Sequence, residues 1–422
     1  MVLFLLFIKY SKTKLKNGFE IYHIPASKGS SVISVDVFYR VGSRNETMGK
    51  SGIAHMLEHL NFKSTKNMKA GEFDEIVKGF GGVNNASTGF DYTHYFVKCS
   101  KGNLDEALRL YADIMENLSL KDKEFQPERD VVTEERRWRT DNSPIGFLYF
   151  TLFNVAFSYH PYHWTPIGFI GDIRNWTIKD IKEFHETYYQ PQNAMLLISG
   201  DIDKKSAFEL GKKHFERIKN KKPLPKLHCI EPEQNGAKRA EIYKDSEVEM
   251  LALAFKIPPF NHEDQPALGA LAEYLGNGQS SVLQRVLIDE KCLVNSVDVY
   301  NMSNIDESLL IVLAVCNPGV KAEAVEEEIW RVLENAKTQK IDEDEITKIK
   351  NSLKSDLIYS LDSASKVANL YGGYLVRGDI KPLFELPEKT AALKPADLNE
   401  ICKKYARKEK STTIILRKEK SE

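Results

Sequence analysis

A chain of 422 residues is too long for one ordinary hydrophobic core and suggests two domains of about 200 residues each. With 42% hydrophobic residues and a formal net charge of −1, its composition is that of a soluble globular protein without the basic footprint of a nucleic-acid binder. Five scattered cysteines, Cys99, Cys229, Cys292, Cys316 and Cys402, imply neither a disulfide framework nor a Cys-x-x-Cys metal site.

The apolar run at residues 2–8 is too short to span a bilayer, so no membrane association is expected. It lacks the basic region and small-residue cleavage site of a secretory signal, and reads as an extended, buried first strand in a cytoplasmic protein. The alternative is the remnant of an export signal, which would make the protein periplasmic. Residues 14–24 read as a hairpin turning at Asn17-Gly18. Residues 32–39 alternate Ile33, Val35, Val37 and Tyr39 against Ser34 and Asp36, the pattern of a half-buried strand.

After the turn-rich Gly42-Ser43-Arg44-Asn45 comes Gly52-Ile53-Ala54-His55-Met56-Leu57-Glu58-His59-Leu60. Read as a helix, it sets His55 and His59 one turn apart, and Glu58, at i+3 from His55, leans toward the same side. Two neutral imidazoles suit an open zinc site, and an unligated carboxylate beside them can take a proton from water. The order His-x-x-Glu-His inverts the commoner His-Glu-x-x-His and is a peptidase signature. On its own, the five-residue pattern equally suits an amphipathic helix with histidines at its polar edge.

A helix at about 71–80 leads to Gly81-Gly82-Val83-Asn84-Asn85-Ala86-Ser87-Thr88-Gly89 and a strand at 92–97. Glycines bracketing a polar strand mark a plain turn or an edge, and an edge strand can bind an extended peptide by adding it to the sheet. His94, a lone histidine on a strand, reads as a hydrogen-bonded structural residue. Leu104, Ala107, Leu108, Tyr111, Met115 and Leu118 recur at helical spacing as a core face.

Two histidines need a third ligand, for which a carboxylate from another element is expected. In residues 128–138, Glu128, Val131, Val132, Glu135 and Trp138 fall on one helical stripe. Glu135 then points inward, while Glu134, turned by about 100°, points away. A carboxylate on a core-facing stripe is costly unless a charge or a metal compensates it. Glu135 is therefore the expected third ligand, and Glu128, two turns earlier, an active-site carboxylate beside it. Pairing with Arg136 and Arg137 on the surface suits Glu134 better.

His55-Met56-Leu57-Glu58-His59, followed by Phe62 and Thr65 and then by Glu128 and Glu135, resembles the pitrilysin/insulinase family of zinc peptidases, in particular its short, mitochondrial-processing-peptidase-like branch. The resemblance runs from Leu15-Lys16-Asn17-Gly18 to the strand near Ile414. It implies an α+β fold of two tandem, related domains, each a mixed or antiparallel sheet packed against helices, forming half of a clamshell. It also implies Zn2+ as cofactor, and substrate binding by Asn85, Ala86, Ser87 and Thr88.

His160-Pro161-Tyr162-His163 shows no i,i+4 pair or partner carboxylate and reads as a structural loop. A helix at 178–188, the turn Gln190-Pro191-Gln192-Asn193 and a strand at 194–198 close the zinc-bearing domain, residues 1–218. The charged, proline-bearing stretch 219–236 reads as a linker. Residues 237–422 form a related second domain without the metal motif: Leu268-Gly269-Ala270-Leu271-Ala272-Glu273-Tyr274-Leu275 lies on residues 53–60 with both histidines replaced, and a strand precedes each. Residues 325–336 add a core-facing helix and 412–416 a final strand.

One departure from the family is clear. Gly276-Asn277-Gly278-Gln279-Ser280-Ser281 matches a glycine-rich loop, but the family's subsequent substrate-contacting arginine and tyrosine fall on Ile288 and Asn295. Arg285, one turn earlier, is a partial substitute. Tyr300 lies an odd five residues past Asn295, on the opposite strand face unless a bulge intervenes. The expected function is that of a zinc endopeptidase hydrolysing extended peptides or unfolded segments with Glu58 as general base; the alternative is a non-catalytic core subunit of an assembly. The departure implies a heterodimer with a related chain supplying the arginine and tyrosine, or a homodimer using Arg285.

Overall fold

The computed structural model describes residues 7–278 and 280–418. The strand expected at 2–8 therefore falls almost wholly outside the described residues, as does Gln279 of the glycine-rich loop.

Among the described residues, eleven strands build two sheets. The first contains β1 (Ser11–Lys14), β2 (Glu20–Ile24), β3 (Val32–Tyr39), β4 (Val83–Thr88), β5 (Thr93–Ser100) and β6 (Ala194–Gly200), ordered β1-β2-β6-β3-β5-β4. The second contains β7 (Lys238–Lys244), β8 (Met250–Ile257), β9 (Val294–Asn301), β10 (Ser308–Cys316) and β11 (Ser411–Lys418), ordered β7-β11-β8-β10-β9. The hairpin β1-β2 turns where Asn17-Gly18 predicts. Gly18 takes φ +90°, a conformation that costs glycine nothing, and the Asn17 amide donates to the carbonyls of Phe215 and Ile218.

Laid side by side, β2-β6-β3-β5-β4 and β7-β11-β8-β10-β9 follow the same order. In each the first pair is parallel and the other three are antiparallel. Helix Ile53–Asn61 lies between β3 and β4 in the chain, and helix Gln265–Gly276 between β8 and β9. The similarity of residues 53–60 to 268–275 therefore marks a repeat of topology as well as of sequence.

The compact units are not consecutive halves of the chain. One comprises Met1–Glu135, Trp164–His228 and Leu357–Leu383, the other Arg136–His163, Cys229–Asp356 and Phe384–Glu422. Helix packing is the cause: in the first unit, helix Ala364–Val376 lies on β3 and β6, and in the second, helix Pro144–Ala156 lies on β7, β8 and β11. One boundary between the units, His228/Cys229, falls within the polar stretch 219–236; the segments 136–163 and 357–383 are what make the units discontinuous.

Helix Ala364–Val376 also changes the character of β3. The alternating pattern predicts one solvent face, yet seven of its eight residues are buried. Ile33, Val35, Val37 and Tyr39 enter the main core, where full burial of such a side chain contributes about 1.5–3 kcal/mol. The other face is covered by the helix, approaching so closely that a Cβ on Gly372 would lie 2.2 Å from the Phe38 ring. On that face His94 Nε2 donates to Asp36 Oδ1 at 2.8 Å and its ring stacks on Phe38 at 4.0 Å. His94 is structural, as its isolation in the sequence suggests.

Candidate metal centre

Helix Ile53–Asn61 exists because Ile53, Met56, Leu57 and Leu60 form a buried stripe at helical spacing, leaving His55, Glu58 and His59 half-buried at its edge. Its start is unusual. The residue before it, Gly52, has φ +86° and no side chain with which to cap the first turn. The cap comes from Glu46: Gly52 N–H donates to Oε2 and Ala54 N–H to Oε1, both at 2.8 Å. The Trp164 indole Nε1–H donates to Oε2 at 2.8 Å. Burial pushes the Glu46 carboxyl up to about 8, and the nearby Asp172 charge adds to this, against the pull of the three N–H donors.

The second contributing element is helix Asp122–Arg136. Its inward arc is Phe125, Glu128, Val132, Glu135 and Arg136, whereas Val131 and Trp138, which the sequence places on the same stripe, are 51% and 73% exposed. Val131 lies at the margin of that arc. Past Arg136 the helix widens into a five-residue π-turn, Arg137–Asp141, which breaks the 3.6-residue phase and leaves Trp138 in solvent. Glu135 keeps its inward orientation and Glu134 is exposed.

The two helices bring three donors together. Glu135 Oε2 lies 3.3 Å from His59 Nε2 and 3.7 Å from His55 Nε2, and ligand atoms of all three residues lie within 4.8 Å of one another. Donors about 2.1 Å from a tetrahedral ion stand about 3.4 Å apart, so the separations fit a zinc-sized cation, and two imidazoles with one carboxylate are a donor set that zinc takes. No other His/Cys/Asp/Glu group of this kind occurs among the described residues. Behind the three donors, His59 Nδ1 contacts Glu128 Oε1 at 2.9 Å, and Lys63 Nζ contacts Glu128 Oε2 at 2.6 Å. This places Glu128 where it orients the His59 imidazole and fixes its tautomer. Burial opposes a positive charge on His59, but Glu128 and Glu135 outweigh it and draw its pKa up to about 9. A field that holds a proton so firmly also favours a cation in its place. Glu128 itself is lowered: burial would raise it, and His59 and Lys63 reverse the balance.

Glu58 is on the same helix and its Oε2 accepts a 2.5 Å hydrogen bond from Thr88 Oγ1 at the end of β4. That strand pairs with β5 on one side and is the sheet edge on the other. Asn85 and Ser87 are exposed, while Ala86 packs on the core. Thr88 is thus tied to Glu58, a contact the strand pattern alone does not disclose.

Arg285 belongs to the second unit, where it is exposed with Nε 3.8 Å from Glu290 Oε1, and Ile288 packs on that unit's core. The register of β9 skips Asn295, as Val315 pairs with Ser296 and Cys316 with Val294. This bulge restores Tyr300 to the exposed side shared by Asn295. His160 has a partner carboxylate after all, Asp306, 2.9 Å from Nε2, while its Nδ1 accepts from Tyr162 N–H and His163 Nδ1 bonds the Phe157 carbonyl. Both histidines are thereby committed to the loop.

Sequence reasoning missed Glu46, Trp164 and Lys63. Glu46 precedes the helix cap by six positions and Trp164 lies over a hundred residues away, so no local spacing rule finds them. Lys63, one turn after His59, was visible as a helix-C-terminal cation.

The family profile described as "Insulinase (Peptidase family M16)" matches residues 24–147, and "Peptidase M16 inactive domain" matches 175–353. The chain is 53% identical over 412 residues to the zinc protease PqqE of Helicobacter pylori, covering 97% of this chain and 93% of that one. It is 26% identical to a probable mitochondrial-processing peptidase subunit beta of Arabidopsis thaliana, covering 93% and 75%. The crystal structure of a protease from Helicobacter pylori superposes with a TM-score of 0.95 at 53% identity, covering 97% of this chain and 99% of that one. The chain belongs to the insulinase family, peptidase family M16.

Proposed function

We propose that this protein is a zinc-dependent endopeptidase acting on extended peptides or unfolded segments. The observation that carries the reading is the convergence of His55 Nε2, His59 Nε2 and Glu135 Oε2, with Glu58 beside them and held by Thr88. Zinc held by these three ligands supplies Lewis acidity, lowering the pKa of water and polarising a carbonyl oxygen. Glu58 takes the proton of the attacking water as it adds to the scissile carbonyl and returns it to the leaving amine. Glu128 keeps His59 oriented, and the edge of β4, through Asn85, Ala86 and Ser87, offers backbone groups to an extended substrate, which suits a protease indifferent to most side chains. A purely structural role in an assembly gives no reason to retain all of His55, Glu58, His59 and Glu135.

Glu58→Gln tests the reading. It should leave zinc content intact while peptide hydrolysis falls by about 10²- to 10⁴-fold. Loss of zinc, or retention of most activity, refutes the role. For the partner, Ile288 and Asn295 support a heterodimer in which a related chain supplies an arginine and a tyrosine. The bulge that exposes Tyr300 beside Asn295 favours the second reading, a homodimer using Arg285 and Tyr300. Full activity of the homogeneous chain, lost in Arg285→Ala or Tyr300→Phe, supports the homodimer. Activity appearing only with an added related chain supports the heterodimer.

A further inference from the structure

We infer that Glu46 is a positioning residue for the metal centre: its buried carboxylate locks the first turn of helix Ile53–Asn61 and thereby the ligand His55. The inference rests on His55, His59 and Glu135 being the metal ligands.

His55 is the third residue of its helix, and helix ends are where backbone order is normally lost first. A metal ligand in a first turn holds its place only if that turn is pinned. Gly52 supplies no side chain, and none can be added, because a Cβ would lie 2.6 Å from the Ile167 carbonyl oxygen and 2.9 Å from the Trp176 ring. The acceptor for the turn's N–H groups is therefore imported. Glu46, itself only 5% exposed, receives Gly52 N–H, Ala54 N–H and Trp164 Nε1–H, each at 2.8 Å. Ala54 is the residue immediately before His55.

The preceding step is fixed by a second carboxylate. Asp172 Oδ2 accepts from Ser51 N–H at 2.9 Å and from Ser51 Oγ at 2.6 Å, while that hydroxyl accepts from Phe169 N–H at 2.9 Å. Of the four residues 51–54, three donate backbone N–H groups to carboxylates anchored outside the helix. A glutamine cannot take over at position 46. It has one acceptor oxygen for donors that approach both carboxylate oxygens, and its NH2 would meet an N–H in either orientation.

The test measures the zinc dissociation constant by chelator competition, together with circular dichroism and thermal midpoint of the metal-free protein. Glu46→Gln should weaken zinc by about tenfold, the lower end of what outer-shell partners contribute, with secondary structure retained. Trp164→Phe, which removes one of the three donors, should weaken it in the same direction by less. The double variant should lose less than the product of the two, because both act through one carboxylate. Ile21→Val, a core change away from the helix, controls for general destabilisation. Zinc affinity unchanged in Glu46→Gln, or weakened equally by Ile21→Val, overturns the inference. If Glu46→Gln does not fold, Trp164→Phe decides: unchanged zinc affinity in that variant likewise overturns it. A wild-type protein that takes up no zinc overturns the ligand reading itself and this inference with it.

Discussion

Glu128→Gln isolates the contribution of a carboxylate that touches the proposed ligand His59 from outside the proposed ligand set. In the folded protein its two oxygens are separately committed, Oε1 to His59 Nδ1 at 2.9 Å and Oε2 to Lys63 Nζ at 2.6 Å. Glutamine conserves size but offers one oxygen and one NH2 group. If the oxygen faces His59, the NH2 confronts the Lys63 ammonium; if it turns to Lys63, His59 Nδ1–H meets a donor. One charge-assisted bond is lost in either case, about 1.5–3 kcal/mol, or roughly 10- to 150-fold in an equilibrium constant. Weaker zinc binding by about 10- to 100-fold is expected, as chelator competition would read it, with the metal-free protein remaining folded. Two results would refute the reasoning. Zinc affinity within about twofold of wild type, accompanied by lost activity, would mean that Glu128 acts on substrate rather than on His59. A loss as complete as that of a first ligand would mean that Glu128 coordinates directly.

Further predictions address neighbouring groups. Glu135→Gln should abolish tight zinc binding while Glu134→Gln, exposed one position earlier, leaves it within about twofold, because only a first ligand is worth more than the 10- to 100-fold of an outer partner; equal losses would show the helix phase to be wrong. Thr88→Val removes the hydrogen bond to Glu58 and should lower kcat by about tenfold with KM little changed, whereas a rise in KM alone would assign Thr88 to substrate binding instead. His185, buried beside Lys221, is held neutral with its pKa lowered to about 3, chiefly by desolvation, from the ordinary 6.5. Between those values the unfolded chain binds a proton that the folded one refuses. Stability is therefore full above about pH 6.5 and falls by about 1.4 kcal/mol per pH unit below it. Urea midpoints compared at about pH 5 and pH 7 should show this slope diminished in His185→Gln, and an equal slope in both proteins would refute the assignment.

The elements and the three donors that converge at the candidate metal centre were legible in the sequence because each rests on a local period. Ile53, Met56, Leu57 and Leu60 define a helix and, with it, the shared edge on which His55, Glu58 and His59 stand. Asn17-Gly18 fixes a hairpin, and the helical stripe of residues 128–138 picks Glu135 over Glu134 even though Val131 and Trp138 were assigned to the wrong side of it. What the sequence leaves open is whatever depends on residues distant along the chain. The covering of Ser34 and Asp36 by helix Ala364–Val376, the bond from Thr88 to Glu58, and the grip of Glu46 and Trp164 on the first turn of the metal helix are all of this kind. Backbone periodicity follows from the chain's own geometry and can be counted. Which side chain satisfies a buried donor is settled only when packing brings the two together, since any polar residue of suitable length elsewhere in the chain is a candidate until the fold excludes the rest.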